Sequence, residues 1–212
     1  TLLDNTWGTP LYLKPLKIGF DMSFCSATKY FSGHSDAMGG SLAVNKKVFK
    51  KIMFFYKLSG YRMAADEAYL IIRGLRTLDI RLKQHAENTK MIITFLKKQK
   101  KIKEILYPHN PASKNYKLWK KYYTGATGLL SIVIKSKNKS SVIKFVNSLE
   151  LFGIGYSWGG FESLAILQEI KSYKKDEYLK GRQFYQFKKD EHIVRLHVGL
   201  EDPKDLINDL KQ

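Results

Sequence analysis

Two short apolar runs near the start of the chain each lead into a polar motif. Leu2-Leu3 precedes Asp4-Asn5-Thr6-Trp7, and Met22-Ser23-Phe24-Cys25 precedes Ser26-Ala27-Thr28-Lys29-Tyr30. Apolar runs of this length, closed by turn-forming residues, are typical of short strands. The pattern therefore predicts an α/β layer in which an acid ends one strand and a lysine follows the end of another.

An acid and a lysine in these positions suit a cofactor that requires an anion at one end and an amine at the other. Pyridoxal phosphate is such a cofactor, because its ring nitrogen stays protonated beside an anion and its aldehyde forms a Schiff base with a lysine. We therefore assign Lys29 as the catalytic, cofactor-binding lysine and Asp4 as the partner of the ring nitrogen. Ser26 and Thr28 are assigned as phosphate donors. Taken locally, Asp4 fits an Asp-Asn turn equally well, and both hydroxyls fit a turn.

The rest of the chain alternates between strand-like and helix-like segments. The patterns predict strands at 21–25, 41–44, 128–134 and 192–198, and helices at 15–19, 47–56, 64–101, 139–151 and from 203 onwards. Gly74 is a weak point inside the longest helix, so a bend or break is expected there. A helix of that length suits a link between two domains.

Five ordered segments resemble one enzyme family. They are Asp4-Asn5-Thr6, residues 26–30 with Gly33-His34-Ser35-Asp36, Arg73 to Leu78, Tyr156 to Leu164, and Arg195 to Asp202. In order and spacing they are similar to the Cys/Met-metabolism pyridoxal-phosphate enzymes, and the last two resemble the bacterial cystathionine β-lyases within that family. The resemblance implies a fold of α/β class. Residues 1–85 would be the C-terminal part of the large, aspartate-aminotransferase-like fold type I domain, and residues 86–212 a small C-terminal α/β domain.

The same resemblance implies a reaction. It is a β-elimination on L-cystathionine that gives homocysteine, pyruvate and ammonia, as in methionine biosynthesis. Arg195 is expected to bind the substrate α-carboxylate with its planar fork, and Tyr156, Ser157 and Trp158 to form the substrate side of the site. Trp158 stands where the related γ-synthases and γ-lyases look like E-S-L-G-G, which favours cleavage at Cβ. A γ-lyase, a γ-synthase or a cysteine-conjugate lyase of the same family stays an alternative.

Chains of this family are nearly twice as long as 212 residues. We therefore expect this chain to be either a fragment or one half completed by a separate N-terminal chain. Alone it is expected to be inactive or weakly active. The resemblance also implies a homotetramer built from dimers.

The net charge of +18 raises a different possibility, an inactive remnant that acts as a basic binding module. The lysines are scattered along the chain and accompany no nucleic-acid-binding signature, so a solvated lysine-rich surface is favoured and no nucleic-acid partner is expected.

The remaining features place the chain in the cytoplasm. No apolar stretch reaches membrane-spanning length, so no membrane association is expected. The single cysteine, Cys25, fits a reducing compartment and is interpreted as a buried apolar residue rather than a nucleophile. The spacing of the histidines fits no zinc template, so no metal is expected. The predicted ligands are pyridoxal 5'-phosphate and an amino-acid thioether.

Overall fold

The computed structural model describes residues 1–169 and 188–211. Within them the strands are β1 (Leu2–Asp4), β2 (Met22–Ser26), β3 (Gly40–Val44), β4 (Ile102–Leu106), β5 (Leu129–Lys135), β6 (Gly153–Ile154), β7 (Leu164–Gln168) and β8 (Glu191–His197). The α-helices are α1 (Thr9–Tyr12), α2 (Lys46–Ser59), α3 (Ala65–Leu75), α4 (Leu78–Leu96), α5 (Tyr116–Tyr122), α6 (Lys139–Ser148) and, labelled α7 here, Pro203–Asp209. A 3₁₀ turn spans Pro15–Ile18 and a π-helical turn spans Ala27–Phe31.

The first sheet has the order β1-β2-β3. Strands β1 and β2 run parallel, with Asp4 opposite Phe24, and β3 is antiparallel to β2. Because β1 and β2 run the same way, Asp4 at the end of β1 and Ser26 at the end of β2 lie at the same edge of the sheet. Strands β1 and β2 are therefore neighbours, as the sequence indicated.

The second sheet has the order β4-β5-β8-β7-β6 and is antiparallel apart from the β6–β7 pair. Strand β8 lies at its centre, where Arg195 is opposite Ser131 of β5 and Ile166 of β7. Helices α4 and α7 contribute to the buried core beside this sheet. The fully enclosed members of that core include Ile92, Ile132, Phe152, Ala165, Val194, Leu196 and Leu206.

The long helix predicted over 64–101 is two helices in the structure. Helix α3 ends at Leu75 and α4 begins at Leu78, close to the weak point expected at Gly74. Gly74 packs against the segment that contains Lys29, residues 27–36, here called the lysine loop. A Cβ at Gly74 would lie 2.2 Å from the carbonyl oxygen of Ser32. The prediction was also wrong at its C-terminal end, because α4 stops at Leu96 and β4 begins at Ile102.

The predicted strands near 21–25, 41–44, 128–134 and 192–198 are all present, with ends displaced by a residue. The last helix begins as predicted, with the Asp202 side chain accepting from the amide of Lys204 and proline at the first helical position. Strands β4, β6 and β7 and helices α1 and α5 were not predicted. The mixture of sheets and helices agrees with the predicted α/β class.

Helix α2 carries many apolar side chains and yet buries none of its residues. Phe54 and Phe55 are among the exposed ones, at 69% and 62%. Across residues 1–169 and 188–211, no helix combines the length and the apolar character that crossing a bilayer requires.

Candidate active site

Lys29 lies in the π-helical turn that directly follows β2. Its backbone leaves helical geometry, with φ −88° and ψ −122°. Neighbouring backbone groups hold the turn in place: Ala27 N donates to Gly39 O at 2.8 Å, and Gly33 N donates to Lys29 O at 2.9 Å. Lys29 is therefore presented from a turn that is fixed at both ends.

The Lys29 amine meets residues that are far away in sequence. Its Nζ donates to Ser157 Oγ at 2.8 Å and lies 5.6 Å from the centre of the Trp158 ring. Burial lowers the pKa of Lys29, and the nearby Arg195 guanidinium lowers it further. A lowered pKa raises the fraction of neutral amine, which is the form that attacks an aldehyde or takes a proton.

Arg195 reaches from β8 to the segment that contains Ser157. Its Nη2 donates to the carbonyl oxygens of Gly155, Tyr156 and Ser157, at 3.1, 2.7 and 3.3 Å. The Tyr156 side chain itself is 79% exposed. The structure thus brings Ser157, Trp158 and Arg195 together around Lys29, whereas the Tyr156 side chain is largely exposed to solvent.

Asp4 is linked through Thr6 to Ser26, at the end of strand β2. Asp4 Oδ1 accepts from both the amide and the hydroxyl of Thr6, at 2.9 and 2.6 Å, and Thr6 Oγ1 accepts from the amide of Ser26 at 2.8 Å. The bond to the amide two residues on is the turn-type contact expected of an Asp-Asn sequence. The relay through the hydroxyl connects the acid to Ser26, three residues before Lys29.

The two predicted phosphate donors differ in their surroundings. Thr28 Oγ1 accepts from Gly39 N at 3.0 Å and lies 3.4 Å from Gly39 O, so its hydroxyl already takes part in a turn. The hydroxyl of Ser26 makes no hydrogen bond to the part of the chain that the structure describes. Of the pair, Ser26 has the more available hydroxyl.

Comparison with known proteins bears directly on this site. The model of the family described as "Cys/Met metabolism PLP-dependent enzyme" matches residues 1–212, the whole chain. This chain belongs to that family. Its cofactor is pyridoxal 5'-phosphate, and the family consists of enzymes.

Two curated relatives from this family are named for different activities. The cystathionine β-lyase of Escherichia coli is 37% identical over 211 residues, which cover 99% of this chain and 52% of the relative. The L-alanine/L-glutamate racemase of Wolbachia pipientis is also 37% identical, over 99% of this chain and 51% of the relative. The chain thus spans about half the length of the curated relatives it matches.

Solved structures give the same result. A cystathionine γ-lyase from Lactobacillus plantarum, complexed with L-serine, superposes with a TM-score of 0.86 at 28% identity, covering 99% of this chain and 54% of that one. The predicted fold, a C-terminal part of the fold of these pyridoxal-phosphate enzymes, is therefore confirmed.

The residues of this family member fit its cofactor at the reactive end. Arg195 places a guanidinium cation beside the Lys29 amine, whose pKa is lowered, and this pair suits an anionic cofactor and an amino-acid carboxylate. The buried thiol of Cys25 has its pKa raised to about 11, first by burial and then by Asp4, so it does not compete as a nucleophile. Within the described residues no cluster of His, Cys, Asp and Glu could hold a metal ion.

Sequence reasoning missed Thr6 and Arg81. Arg81 is buried behind the lysine loop, where Nη1 donates to Tyr30 O at 2.9 Å and Nη2 donates to Gly74 O at 2.7 Å. One signal was present in the sequence, because Gly74, Thr77 and Arg81 recur at helical spacing on one face. Thr6 had a weaker signal, a hydroxyl two residues after an acid.

Proposed function

We propose that this chain supplies the lysine-bearing, substrate-binding half of a pyridoxal-phosphate carbon–sulfur lyase that cleaves L-cystathionine at Cβ. The products would be homocysteine, pyruvate and ammonia. The observation that supports this is the convergence of four groups from distant parts of the chain: Lys29 Nζ, Ser157 Oγ, the Trp158 ring and the Arg195 guanidinium.

The bound cofactor would supply an electron sink for the pair released at the substrate Cα. Lys29, with its lowered pKa, would take the Cα proton as an amine. The electrons of the broken Cα–H bond then form a double bond to Cβ, and the Cβ–S bond breaks. Lys29, now an ammonium, would return a proton to the departing thiolate, which leaves as the thiol of homocysteine. Water then hydrolyses the remaining three-carbon enamine to pyruvate and ammonia.

Arg195 would hold the substrate α-carboxylate. Its Nη2 at present donates to the carbonyl oxygens of Gly155, Tyr156 and Ser157, and a carboxylate would offer stronger, bidentate acceptors to the guanidinium. Tyr156 and Ser157 would complete this side of the site. Asp4, fixed by Thr6, would face the ring nitrogen of the cofactor, and Ser26 and Thr28 would face its phosphate.

Trp158 supports β- over γ-cleavage. Its ring lies against Tyr30, with ring centres 5.5 Å apart, and close to the Lys29 amine, so it occupies space on the substrate side. We expect Trp158→Leu to increase the ratio of γ- to β-elimination measured on cystathionine. An unchanged ratio would instead favour a γ-lyase, a γ-synthase or a cysteine-conjugate lyase with little subtype preference at this position.

The proposed partner is a second half of the large domain or another copy of the chain. In the part of the chain that the structure describes, no further strand pairs with the edges of the first sheet at β1 and β3, and α2 exposes Phe54 and Phe55. Such a partner would cover these surfaces and add phosphate donors beside Ser26. We propose a cytoplasmic homotetramer for the completed enzyme, and weak or absent activity for the chain alone.

The test is reconstitution with pyridoxal 5'-phosphate, with and without a complementary N-terminal chain. We expect visible absorbance from lysine-bound cofactor, and pyruvate release from cystathionine once the complement is present. Lys29→Ala should abolish the absorbance and reduce activity by at least about a hundredfold. Lys144→Ala, at an exposed lysine on α6, is the matched control and should change neither. Absorbance that survives Lys29→Ala would overturn the proposal.

Racemisation is the second candidate, because a relative as similar as the β-lyase is named an L-alanine/L-glutamate racemase. Both reactions begin by removing the Cα proton, so Lys29 would serve either. Incubating the reconstituted protein with L-alanine and measuring D-alanine separates them. The basic-module alternative predicts no absorbance and a steep salt dependence of retention on nucleic acid.

A further inference from the structure

The turn formed by Trp158, Gly159 and Gly160 lies directly on the lysine loop. Gly159 has a φ of +87°, which favours glycine. A side chain there would place its Cβ 2.9 Å from Tyr30 N and 3.0 Å from the carbonyl carbon of Lys29. The position of this turn therefore decides where the adjacent Ser157 and Trp158 meet the Lys29 amine.

His197, at the end of β8, contacts both peptide groups of that turn. The amide of Gly159 donates to His197 Nε2 at 3.1 Å, and the carbonyl oxygen of Gly160 lies 3.0 Å from the same nitrogen. A nitrogen with a lone pair accepts from Gly159, whereas a protonated one donates to Gly160, so the tautomer selects one of the two bonds. The residue is only 1% exposed, so bulk solvent does not reach either bond.

The surroundings of His197 keep it uncharged. Its pKa is lowered to about 4, mainly by burial. The Gly160 carbonyl acts in the opposite direction, and the nearby Arg195 and Lys29 cations add to the lowering. His85 of α4 lies against it with ring centres 5.1 Å apart, and the pKa of His85 is lowered to about 3, mainly by burial. Tyr30 completes the set, with its ring centre 6.1 Å from that of His197.

The neighbouring histidine indicates which tautomer His197 adopts. His85 Nδ1 lies 2.7 Å from the carbonyl oxygen of Val198, so that nitrogen carries the proton and His85 Nε2 carries a lone pair. His85 Nε2 and His197 Nδ1 are both buried without a hydrogen-bond partner in residues 1–169 and 188–211. A proton on His197 Nδ1 gives these two nitrogens one donor and one acceptor, and it leaves Nε2 to accept from Gly159.

We propose that His197 is a positioning residue of this site: as the neutral Nδ1–H tautomer it anchors the Gly159 turn and so fixes Ser157 Oγ and the Trp158 ring beside the Lys29 amine. The proposal rests on the proposed function, in which Lys29 is the reacting amine. His197 itself would touch neither substrate nor cofactor.

Two variants of one residue test the proposal. Leucine in His197→Leu cannot accept from Gly159, whereas the amide in His197→Gln can accept from Gly159 and donate to Gly160. The readout is the pH midpoint at which Lys29 is reductively methylated by formaldehyde, followed by peptide mass spectrometry on the full chain without cofactor. We expect the midpoint to move up in His197→Leu, because a displaced turn admits water around Lys29, and to stay at the original value in His197→Gln.

His192, which lies five residues before His197 on the same strand, provides the matched control. Its Nε2 lies 3.0 Å from the carbonyl oxygen of Ser136, far in sequence from the lysine loop. Neither His192→Leu nor His192→Gln should change the Lys29 midpoint. An unchanged midpoint in a folded His197→Leu protein, or an equal shift in His197→Leu and His197→Gln, would overturn the proposal.

The tautomer can be measured on the unaltered chain, which covers the case where His197→Leu does not fold. Nitrogen-15 chemical shifts of the His197 ring should show a proton on Nδ1 and none on Nε2 between about pH 6 and 8. A proton on Nε2 throughout that range contradicts the proposal. None of these measurements uses cystathionine, so absence of lyase activity and failure of the His197 proposal are separate results.

Discussion

At the scale of single residues, the surroundings of Lys29 distinguish it from the other basic side chains of a chain with 37 lysines and arginines. Burial is the larger cause of the lowered pKa of its amine, and the charge of Arg195 is the smaller one. One neighbour therefore has two effects, since Arg195 adjusts the amine and also offers a fork to a carboxylate.

These two effects of Arg195 can be separated by substitution. Arg195→Leu removes the repelling charge, so the pH midpoint of Lys29 modification should rise; burial continues to lower it. Arg195→Lys keeps the charge and should leave the midpoint low. It loses the planar fork, however, and so should weaken binding of an amino-acid substrate by about tenfold. Midpoints come from methylation kinetics and affinities from titration of the reconstituted protein. A lower midpoint in Arg195→Leu would contradict this account.

The sequence was informative about residues whose chemistry is local and silent about those whose partners are distant. Lys29, Asp4 and Arg195 were selected by their motifs. Arg81 and His197 were missed in these roles because their partners, Tyr30 O and the Gly159 amide, are separated from them by 51 and 38 positions. No local pattern specifies a contact of that kind before the chain is folded.

At the scale of elements, the junction of α3 and α4 holds the back of the lysine loop. Gly74 lets α3 approach the loop, and the Gly74 carbonyl oxygen accepts from Arg81, which also donates to Tyr30 O. The break between the helices is thus part of the support for Lys29 and reflects more than poor helix propensity.

Gly74→Ala tests this support. A Cβ would lie 2.2 Å from Ser32 O and 2.3 Å from Phe31 O, both backbone atoms that can yield only if the loop moves. We expect a loss of about 2 to 4 kcal/mol in the free energy of unfolding, measured with urea. Gly60→Ala is the control: nothing lies within 4 Å of its added Cβ, and only its φ of +68° opposes the change, at a cost of about 1 kcal/mol. A more stable Gly74→Ala protein, as for an ordinary helix glycine, would refute the packing argument.

Some strands are indicated by their own residues, whereas β4 depends on the strand beside it. β5 and β8 both contain β-branched residues, such as Val133 and Ile134 in β5, and were recognised. β4 lies in a lysine-rich segment, Ile102-Lys103-Glu104-Ile105, and becomes a strand because it pairs with β5. Intrinsic preference is weak in such segments, and the neighbouring strand supplies the missing information.

At the scale of the whole molecule, the site is shared between the two sheets. Lys29 follows a strand of the first sheet, whereas Ser157 and Arg195 belong to the second, and Tyr30, His85 and His197 fill the space behind them. The buried pair of histidines carries a consequence for stability as well as for position.

We expect stability to fall in mild acid because of His85 and His197. Their pKa values, about 3 and about 4 in the folded chain, lie below the ordinary value of 6.5. The unfolded chain therefore binds protons that the native chain does not between pH 6.5 and 4, and unfolding is favoured as the pH falls through that range. Each histidine changes the free energy of unfolding by at most about 1.4 kcal/mol per pH unit.

Urea midpoints measured from pH 8 to pH 4 check this expectation. His85→Gln keeps a donor for the Val198 carbonyl and removes one titrating group. It should therefore reduce the dependence of the unfolding free energy on pH by the contribution of one histidine. Gln84→Ala, an exposed position next to His85 on α4, removes no titrating group and should leave the slope unchanged. Equal slopes in all three proteins would show that carboxyl groups alone cause the acid sensitivity.

The enclosed thiol of Cys25 has a practical consequence. With a pKa of about 11 the thiol stays protonated in neutral buffer, and its burial shields it from bulky reagents. Maleimides and nitroxide labels should therefore not react with it. Cysteines introduced in pairs, one on β3 and one on α6, can then be labelled without removing a native residue. Distance distributions from electron spin resonance would show whether adding pyridoxal 5'-phosphate draws the two sheets together.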